Sequence, residues 1–167
     1  GAGAVVLEAT IGDGTQGILT TQMGSGGGHD LFHIEAGGSA CSVTPERSAQ
    51  GLDKMRMRGR EIFKASVRTM TDYAHLAAET CAIEVEEIDW LIPHQANLRI
   101  LEAVAQRIPF PPEKTLVNVQ RFGNTSAATI PTALDEGIRD GRVKPGQLVL
   151  MIGFGAGLTY GSILARI

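Results

Sequence analysis

Apolar residues recur with two different periods along the second half of the chain. Phe63, Val67 and Met70 begin a stripe spaced by four and three positions, which predicts a long amphipathic helix over 59–81. Further along, continuous apolar runs alternate with similar stripes. In chain order they predict a strand at 87–92, a helix at 96–108, a strand at 115–119, a helix at 125–139 and strands at 147–154 and 158–167.

The first third of the chain has a weaker pattern. Short β-branched runs at 3–9 and 17–23 flank a turn of the Asp-Gly type, which predicts two strands of a hairpin. Residues 24–50 show little periodicity and read as a loop. Within that loop, Thr44 followed by Pro45 is typical of a short helical turn with Thr44 as its cap and proline at its first position.

The alternation of strands and helices predicts a layered α/β protein with a largely buried sheet. The last two strands are joined by only three residues, 155–157, so they must run antiparallel and the sheet must be mixed. Pro131 lies inside the helix predicted at 125–139 and should either kink it or mark an irregular first turn.

Composition narrows the function classes. The 167 residues are 43% hydrophobic and 20% charged, as in an ordinary globular domain, and the net charge of −3 gives no reason to expect a nucleic-acid or membrane partner. Two distant cysteines without a CxxC pair argue against a disulfide scaffold or a zinc site. We therefore expect a cytoplasmic protein. The 21 glycines cluster beside apolar runs, which favours tight turns and a backbone-lined site.

Two neutral hydrogen-bond donors follow predicted strands. His94 comes directly after the strand at 87–92 and precedes a helix, where an uncharged imidazole is favoured over a cation. Asn124 precedes the helix at 125–139. If both side chains reach one point, they can hold the oxygen of a thioester enolate. The alternatives are a structural histidine beside a proline and an asparagine that only caps its helix.

Three further features carry weaker signals. Asn97 is either the cap of the helix at 96–108 or a buried polar group that needs a partner. The corner at 154–157, Phe-Gly-Ala-Gly, is either a tight turn or a place where a backbone N–H faces a developing oxyanion. His29 and His33 are four positions apart, but the glycines before them disfavour a helix and therefore a metal site.

Five segments together resemble the β-ketoacyl-acyl carrier protein synthase III family, the initiating condensing enzymes of fatty acid synthesis. They are GAGAVVL at 1–7, GREIFKASV at 59–67, DWLIPHQANLRI at 89–100, GNTSAATIPTALDEG at 123–137 and KPGQLVLMIGFGAGLTYGS at 144–162. The resemblance implies a thiolase-like fold of two similar halves, each a mixed five-stranded sheet with helices on its faces. It predicts that residues 1–50 end the first half, with its last two strands, and that residues 51–167 form the second half.

The resemblance also implies site residues. The family joins an acyl-CoA primer to malonyl-acyl carrier protein with a Cys–His–Asn triad, and His94 and Asn124 match its histidine and asparagine. The implied oxyanion backbone N–H is that of Ala156. The positions matching the substrate tunnel are Gly59, Phe63, Ala96, Asn97 and Gly155, and Arg99, helped by Lys64, matches the carrier-docking residue.

The chain departs from the family in length and in its nucleophile. The family's cysteine belongs to a first half that this chain lacks, and neither Cys41 nor Cys81 matches its motif. We therefore expect the isolated chain to be inactive, and to act with the missing half, as a homodimer, on carrier-linked substrates without a metal or cofactor. The alternatives are a noncatalytic carrier-binding module and a related acyltransferase of polyketide type.

Overall fold

The computed structural model describes residues 1–9 and 11–167. Its main sheet has four strands in the order β1-β6-β5-β4, and its minor sheet pairs β2 with β3. The strands are β1 (Gly17–Ser25), β2 (Phe32–Ile34), β3 (Met55–Met57), β4 (Trp90–Pro93), β5 (Leu148–Gly155) and β6 (Thr159–Arg166). The α-helices are α1 (Pro45–Ala49), α2 (Gly59–Thr80), α3 (Leu98–Arg107), α4 (Val119–Phe122) and α5 (Thr129–Arg139).

The main sheet is mixed, as predicted. β4 runs parallel to β5, whereas β5 and β6 form an antiparallel pair from Leu148↔Arg166 to Gly155↔Thr159. A parallel bridge between Leu91 and Thr115 adds a fifth position beyond β4, at the place where the sequence predicts a fifth strand. The five-stranded, thiolase-like arrangement is therefore four full strands and one short contact.

Helices cover both faces of the sheet because its strands carry apolar side chains in both directions. On β5, Leu150 and Ile152 point into a core shared with α2 and α3, while Val149 points to the opposite side and packs with Ala133 of α5. The predicted stripe on α2 is confirmed: Val67, Met70, Ala74 and Ala77 are all buried. The result is a three-layer α/β/α unit.

Two predicted strands are wrong. Residues 3–9 have no regular structure and are exposed, because no strand in the described part of the chain pairs with them, so no hairpin forms with β1. The run at 115–119 makes a single bridge at Thr115 and then turns into α4. Asn118, whose backbone N–H donates to the buried side chain of Gln95 at 3.1 Å, marks the point where the strand ends.

The strand predicted at 17–23 is present, but its neighbours were not foreseen. β1 pairs with β6 along its whole length, from Gly17↔Arg166 to Ser25↔Thr159. It therefore lies in the same sheet as β4 and β5, whereas the sequence analysis assigned it to a preceding half. The division of the chain at residue 50 remains a prediction.

Local signals explain how three helices begin. Thr44 caps α1 through its hydroxyl, with Pro45 at the first position, as predicted. Asn97 caps α3, accepting the N–H of Ile100 at 3.1 Å, so the helix begins at Leu98 rather than at 96. α5 begins at Thr129 after a 3-10 turn at Ser126–Ala128, and Pro131 lies in its first turn, which agrees with the irregular-start alternative.

Candidate functional site

His94 lies at the carboxyl end of β4 and is fixed from two sides. Its backbone N–H donates to the carbonyl oxygen of Ile152 on β5 at 2.7 Å, and its Nδ1 lies 2.7 Å from the Thr129 hydroxyl. The ring is half-buried, and this burial lowers the pKa of His94 below its ordinary value of 6.5. The imidazole is therefore neutral near pH 7, with one ring nitrogen that donates and one that accepts.

Gln95 holds the same corner in place. Its side chain is fully buried, and its Nε2 donates to the carbonyl oxygens of Pro93 at 2.9 Å and Leu116 at 3.0 Å. Its Oε1 accepts the N–H of Asn118. The bond to Pro93 stays within the end of β4, whereas the bonds to Leu116 and Asn118 join this end to the adjacent segment, so Gln95 fixes the corner that carries His94.

Asn124 approaches from the segment between α4 and α5. Its Oδ1 accepts the N–H of Ser126 at 2.9 Å, a local contact across two residues that orders the turn before the 3-10 helix. Asn124 is not the cap of α5, as the alternative interpretation of the sequence had it, because α5 begins at Thr129 and its cap residue is Ala128. The hydrogen bond from Ser126 uses only the oxygen of the Asn124 side chain. The Nδ2 group of this exposed side chain supplies two donors and is available to a ligand.

His94 and Asn124 line one cavity of about 1470 Å³. The cavity also includes the other predicted tunnel and oxyanion positions: Gly59, Phe63, Ala96, Asn97, Gly155 and Ala156. It lies at the carboxyl ends of β4 and β5, where parallel strands place their binding sites. The structure therefore brings together, around one volume, residues that are up to about a hundred positions apart in the sequence.

The glycine-rich corner accommodates its alanine. Ala156 is exposed and has no positive φ, whereas Gly157 next to it has φ 137°. A Cβ is therefore tolerated at residue 156 without strain. The positive φ, which favours glycine, occurs at Gly157 instead. The Thr159 hydroxyl donates to the Ala156 carbonyl oxygen at 3.1 Å and ties the corner to the start of β6.

The two predicted docking residues are exposed but separate. Arg99, in the first turn of α3, lines the main cavity. Lys64 lines a second groove of about 690 Å³ between α2 and α3, together with Arg68 and Arg107. Basic side chains thus border the cavity and the groove beside it. Phe63 lines both and connects the two.

Neither cysteine belongs to the site. Among the described residues, the cavity lining includes neither Cys41 nor Cys81, and Cys81 packs against the core at the end of α2. The described residues contain no cluster of three or more His, Cys, Asp or Glu side chains placed to hold a metal ion. No helix among them is long and apolar enough to cross a membrane.

Sequence reasoning missed Thr129. This residue is only 1% exposed, lines the cavity and contacts the ring of His94 directly. In the sequence it is one of several small residues at the start of a helix, and only the packing of α5 against β4 brings it to the histidine.

The chain is similar to known 3-oxoacyl-[acyl-carrier-protein] synthases III over nearly its whole length. The β-ketoacyl-[acyl-carrier-protein] synthase III of Symbiobacterium thermophilum is 44% identical over 166 residues, which cover 99% of this chain and 50% of that protein. The crystal structure of 3-oxoacyl-[acyl-carrier-protein] synthase III from Aquifex aeolicus matches with a TM-score of 0.80 at 40% identity, over 95% of this chain and 47% of that one.

A polyketide enzyme is also similar. The priming β-ketosynthase of the R1128 polyketide biosynthetic pathway matches with a TM-score of 0.76 at 30% identity, over 90% of this chain and 45% of that one. The chain spans about half the length of the curated relatives it matches. The family profile described as 3-oxoacyl-[acyl-carrier-protein (ACP)] synthase III C terminal matches residues 76–167. The chain therefore belongs to the 3-oxoacyl-[acyl-carrier-protein] synthase III family, whose C-terminal region it carries.

Proposed function

We propose that this chain supplies the enolate-holding half of the active site of a decarboxylating condensing enzyme. The observation that carries the proposal is that His94 and Asn124 reach one cavity from separate corners of the fold. Each has a hydrogen-bond donor available after its structural contacts, one ring nitrogen on His94 and Nδ2 on Asn124. Two neutral donors aimed at one oxygen stabilise the negative charge that develops when a malonyl thioester loses CO2.

The reaction follows from this arrangement. A primer acyl group is carried as a thioester on a cysteine that lies outside the 167 residues. The bond between the malonyl Cα and its carboxylate breaks, CO2 leaves, and the electron pair becomes an enolate whose oxygen accepts from His94 and Asn124. The enolate carbon then attacks the acyl thioester, and the cysteine thiolate departs. The backbone N–H of Ala156 stabilises the oxyanion of that second step, and the product is a β-ketoacyl thioester.

Burial of His94 suits this role. A neutral imidazole donates one hydrogen bond without offering a proton that would quench the carbanion, and desolvation, which lowers the pKa of His94, keeps it neutral. The half-buried position also places the donor where water competes less, and electrostatic stabilisation is then stronger than in solvent.

The decisive experiment separates the contact of Asn124 with the Ser126 N–H from donation by its Nδ2 group. In the complete enzyme, Asn124→Asp keeps an oxygen for the Ser126 N–H but removes the donor, whereas Asn124→Ala removes both. Both variants should lower the rate of malonyl decarboxylation by about 100-fold to 1,000-fold, the cost of one oxyanion donor. Transfer of the primer acyl group to the cysteine should remain measurable. Wild-type decarboxylation in Asn124→Asp would reject the donor role.

His94 provides the matching test. His94→Ala should cost a similar factor, while His94→Gln, which offers a neutral amide donor of comparable reach, should retain more of the decarboxylation activity. Equal rates in His94→Ala and wild type would remove the histidine from the chemistry and would favour a noncatalytic carrier-binding module.

The substrate carrier is part of the same proposal. Arg99 at the cavity and Lys64 in the adjoining groove are exposed cations, and an acidic acyl carrier protein would be attracted to them. Arg99→Glu should raise KM for the carrier-linked substrate while kcat changes little, and the effect should shrink at high salt. Arg139→Glu on α5, also exposed, is the charge-matched control. We also propose that the complete enzyme forms a homodimer and acts in the cytoplasm.

A further inference from the structure

Ser126 adopts a backbone conformation that residues other than glycine rarely take. Its φ is 58°, in the left-handed region, where the Cβ comes too close to the following carbonyl oxygen. Among the non-glycine residues with positive φ in the described ranges, only Ser126 lines the main cavity. Such a conformation persists only where the surrounding structure imposes it, and residues of this kind cluster at functional sites.

Hydrogen bonds at both ends of Ser126 hold this conformation. Its carbonyl oxygen accepts the Thr129 hydroxyl at 2.9 Å and also the Thr129 backbone N–H. Thr129 is only 1% exposed at the packed start of α5, so it is a rigid anchor. On the other side, the N–H of Ser126 donates to Oδ1 of Asn124 at 2.9 Å. Ser126 therefore connects a fixed residue of α5 to the exposed side chain of Asn124.

The bond to Asn124 decides which end of its amide group faces the turn. The Ser126 N–H can be accepted by the amide oxygen but not by Nδ2, because Nδ2 is itself a donor. A flipped amide would place two donors against each other and lose the bond. We infer that Ser126 is a positioning residue: its left-handed backbone aims its N–H at Oδ1 of Asn124 and thereby leaves Nδ2 directed to the substrate. The value of this orientation to catalysis rests on the proposed function, in which Nδ2 holds the enolate oxygen.

Substitutions at position 126 of the complete enzyme test the backbone conformation. A β-branched residue is the least compatible with a positive φ, whereas glycine adopts it readily. In Ser126→Val, kcat for malonyl decarboxylation should fall about 10-fold to 100-fold with KM nearly unchanged, because a displacement of about 1 Å can cost 100-fold. Ser126→Gly should retain most of the activity that valine loses. Ser126→Ala removes the hydroxyl without adding a β-branch, so a fall as large as that in valine would overturn the inference.

Ala82→Val is the matched control. Ala82 also has a positive φ, 52°, but it follows the end of α2, and the described lining of the cavity does not include it. Valine there should lower thermal stability by a similar amount and leave kcat unchanged. In an Asn124→Ala background, Ser126→Val should slow the reaction no further, because no amide remains to be positioned. Additive losses, or a fall in kcat in Ala82→Val equal to that in Ser126→Val, would contradict the positioning role.

Amide hydrogen exchange provides a readout that does not depend on activity or on the folding of the valine variant. The Ser126 amide should be protected in wild type and in Asn124→Asp, which keeps an acceptor, and should exchange faster in Asn124→Ala. Equal protection in wild type and Asn124→Ala would overturn the inference. Wild-type decarboxylation in Asn124→Asp would instead reject the proposed function and leave the contact between Ser126 and residue 124 intact.

Discussion

Replacing Gln95 by leucine should lower the free energy of unfolding substantially, although Gln95 lies next to an open cavity. The side chain is fully buried and makes three hydrogen bonds, to the carbonyl oxygens of Pro93 and Leu116 and from the N–H of Asn118. Leucine has a similar size but no polar atom, so it would leave these buried backbone groups without the partner that Gln95 provides.

The expected cost follows from those three bonds. A typical intramolecular hydrogen bond contributes about 1 kcal/mol net, so Gln95→Leu should lower the free energy of unfolding by about 3 kcal/mol. In a chain of 167 residues this corresponds to a fall in Tm of about 6 to 12 °C. The matched control is Gln106→Leu, an exposed glutamine on α3, which should change the unfolding free energy by less than about 0.5 kcal/mol.

Thermal unfolding measures the global effect, and amide hydrogen exchange locates it. The Asn118 N–H donates to Gln95, so its exchange should accelerate in Gln95→Leu and not in Gln106→Leu. The reasoning would be refuted if the two leucine variants melted at the same temperature and the Asn118 amide kept its protection.

Three further predictions concern single positions. Because burial lowers the pKa of His94, the unfolded chain binds that proton more readily, so wild type should lose stability relative to His94→Gln as pH falls below 6.5. Denaturant titrations at several pH values should show this difference levelling off below the folded-state pKa. Asn97→Ala should cost about 1 kcal/mol by removing the α3 cap, and Asn97→Ser should recover most of it in the same assay. In Gly161→Ala the new Cβ would lie 2.6 Å from the backbone oxygen of Gln22, so melting should reveal a loss of about 1 to 3 kcal/mol, against no loss in Gly38→Ala, where nothing lies within 4 Å.

The long elements were predictable because their signals are local. The stripe that begins at Phe63 repeats over about five turns of α2 and places Met70 and Ala74 on the same buried face. The antiparallel pairing of β5 with β6 followed from the shortness of the link between them. Such features need no knowledge of the rest of the chain.

The errors arose where structure depends on distant partners. Residues 3–9 have the composition of a strand, but a strand requires a neighbour, and none of the described residues provides one. The run at 115–119 ends early because Gln95, more than twenty positions away, captures the Asn118 N–H. No local pattern encodes a hydrogen bond across that separation.

The candidate site, too, has features that the local sequence predicts and features that depend on distant contacts. His94 and Asn124 were identified from their neighbours in the sequence and from the family motifs around them. That they line a common cavity, and that Thr129 contacts the histidine ring, depends on the position of α5 relative to the end of β4. The sequence located the two candidate side chains, whereas packing determined that they line one cavity and that the Thr129 hydroxyl contacts His94.

The pairing of β1 with β6 has a consequence for how the chain reaches its native state. Gly17 pairs with Arg166, so β1 and β6 are neighbours in the sheet although they lie far apart in the sequence. Closing so large a loop costs conformational entropy before any ladder bond repays it, and folding that depends on such non-local contacts is slow. During synthesis β1 emerges long before its partner. The backbone hydrogen-bonding groups of β1 that face β6 must then remain unpaired until β6 has been synthesised, which leaves this strand open to wrong pairing in the meantime.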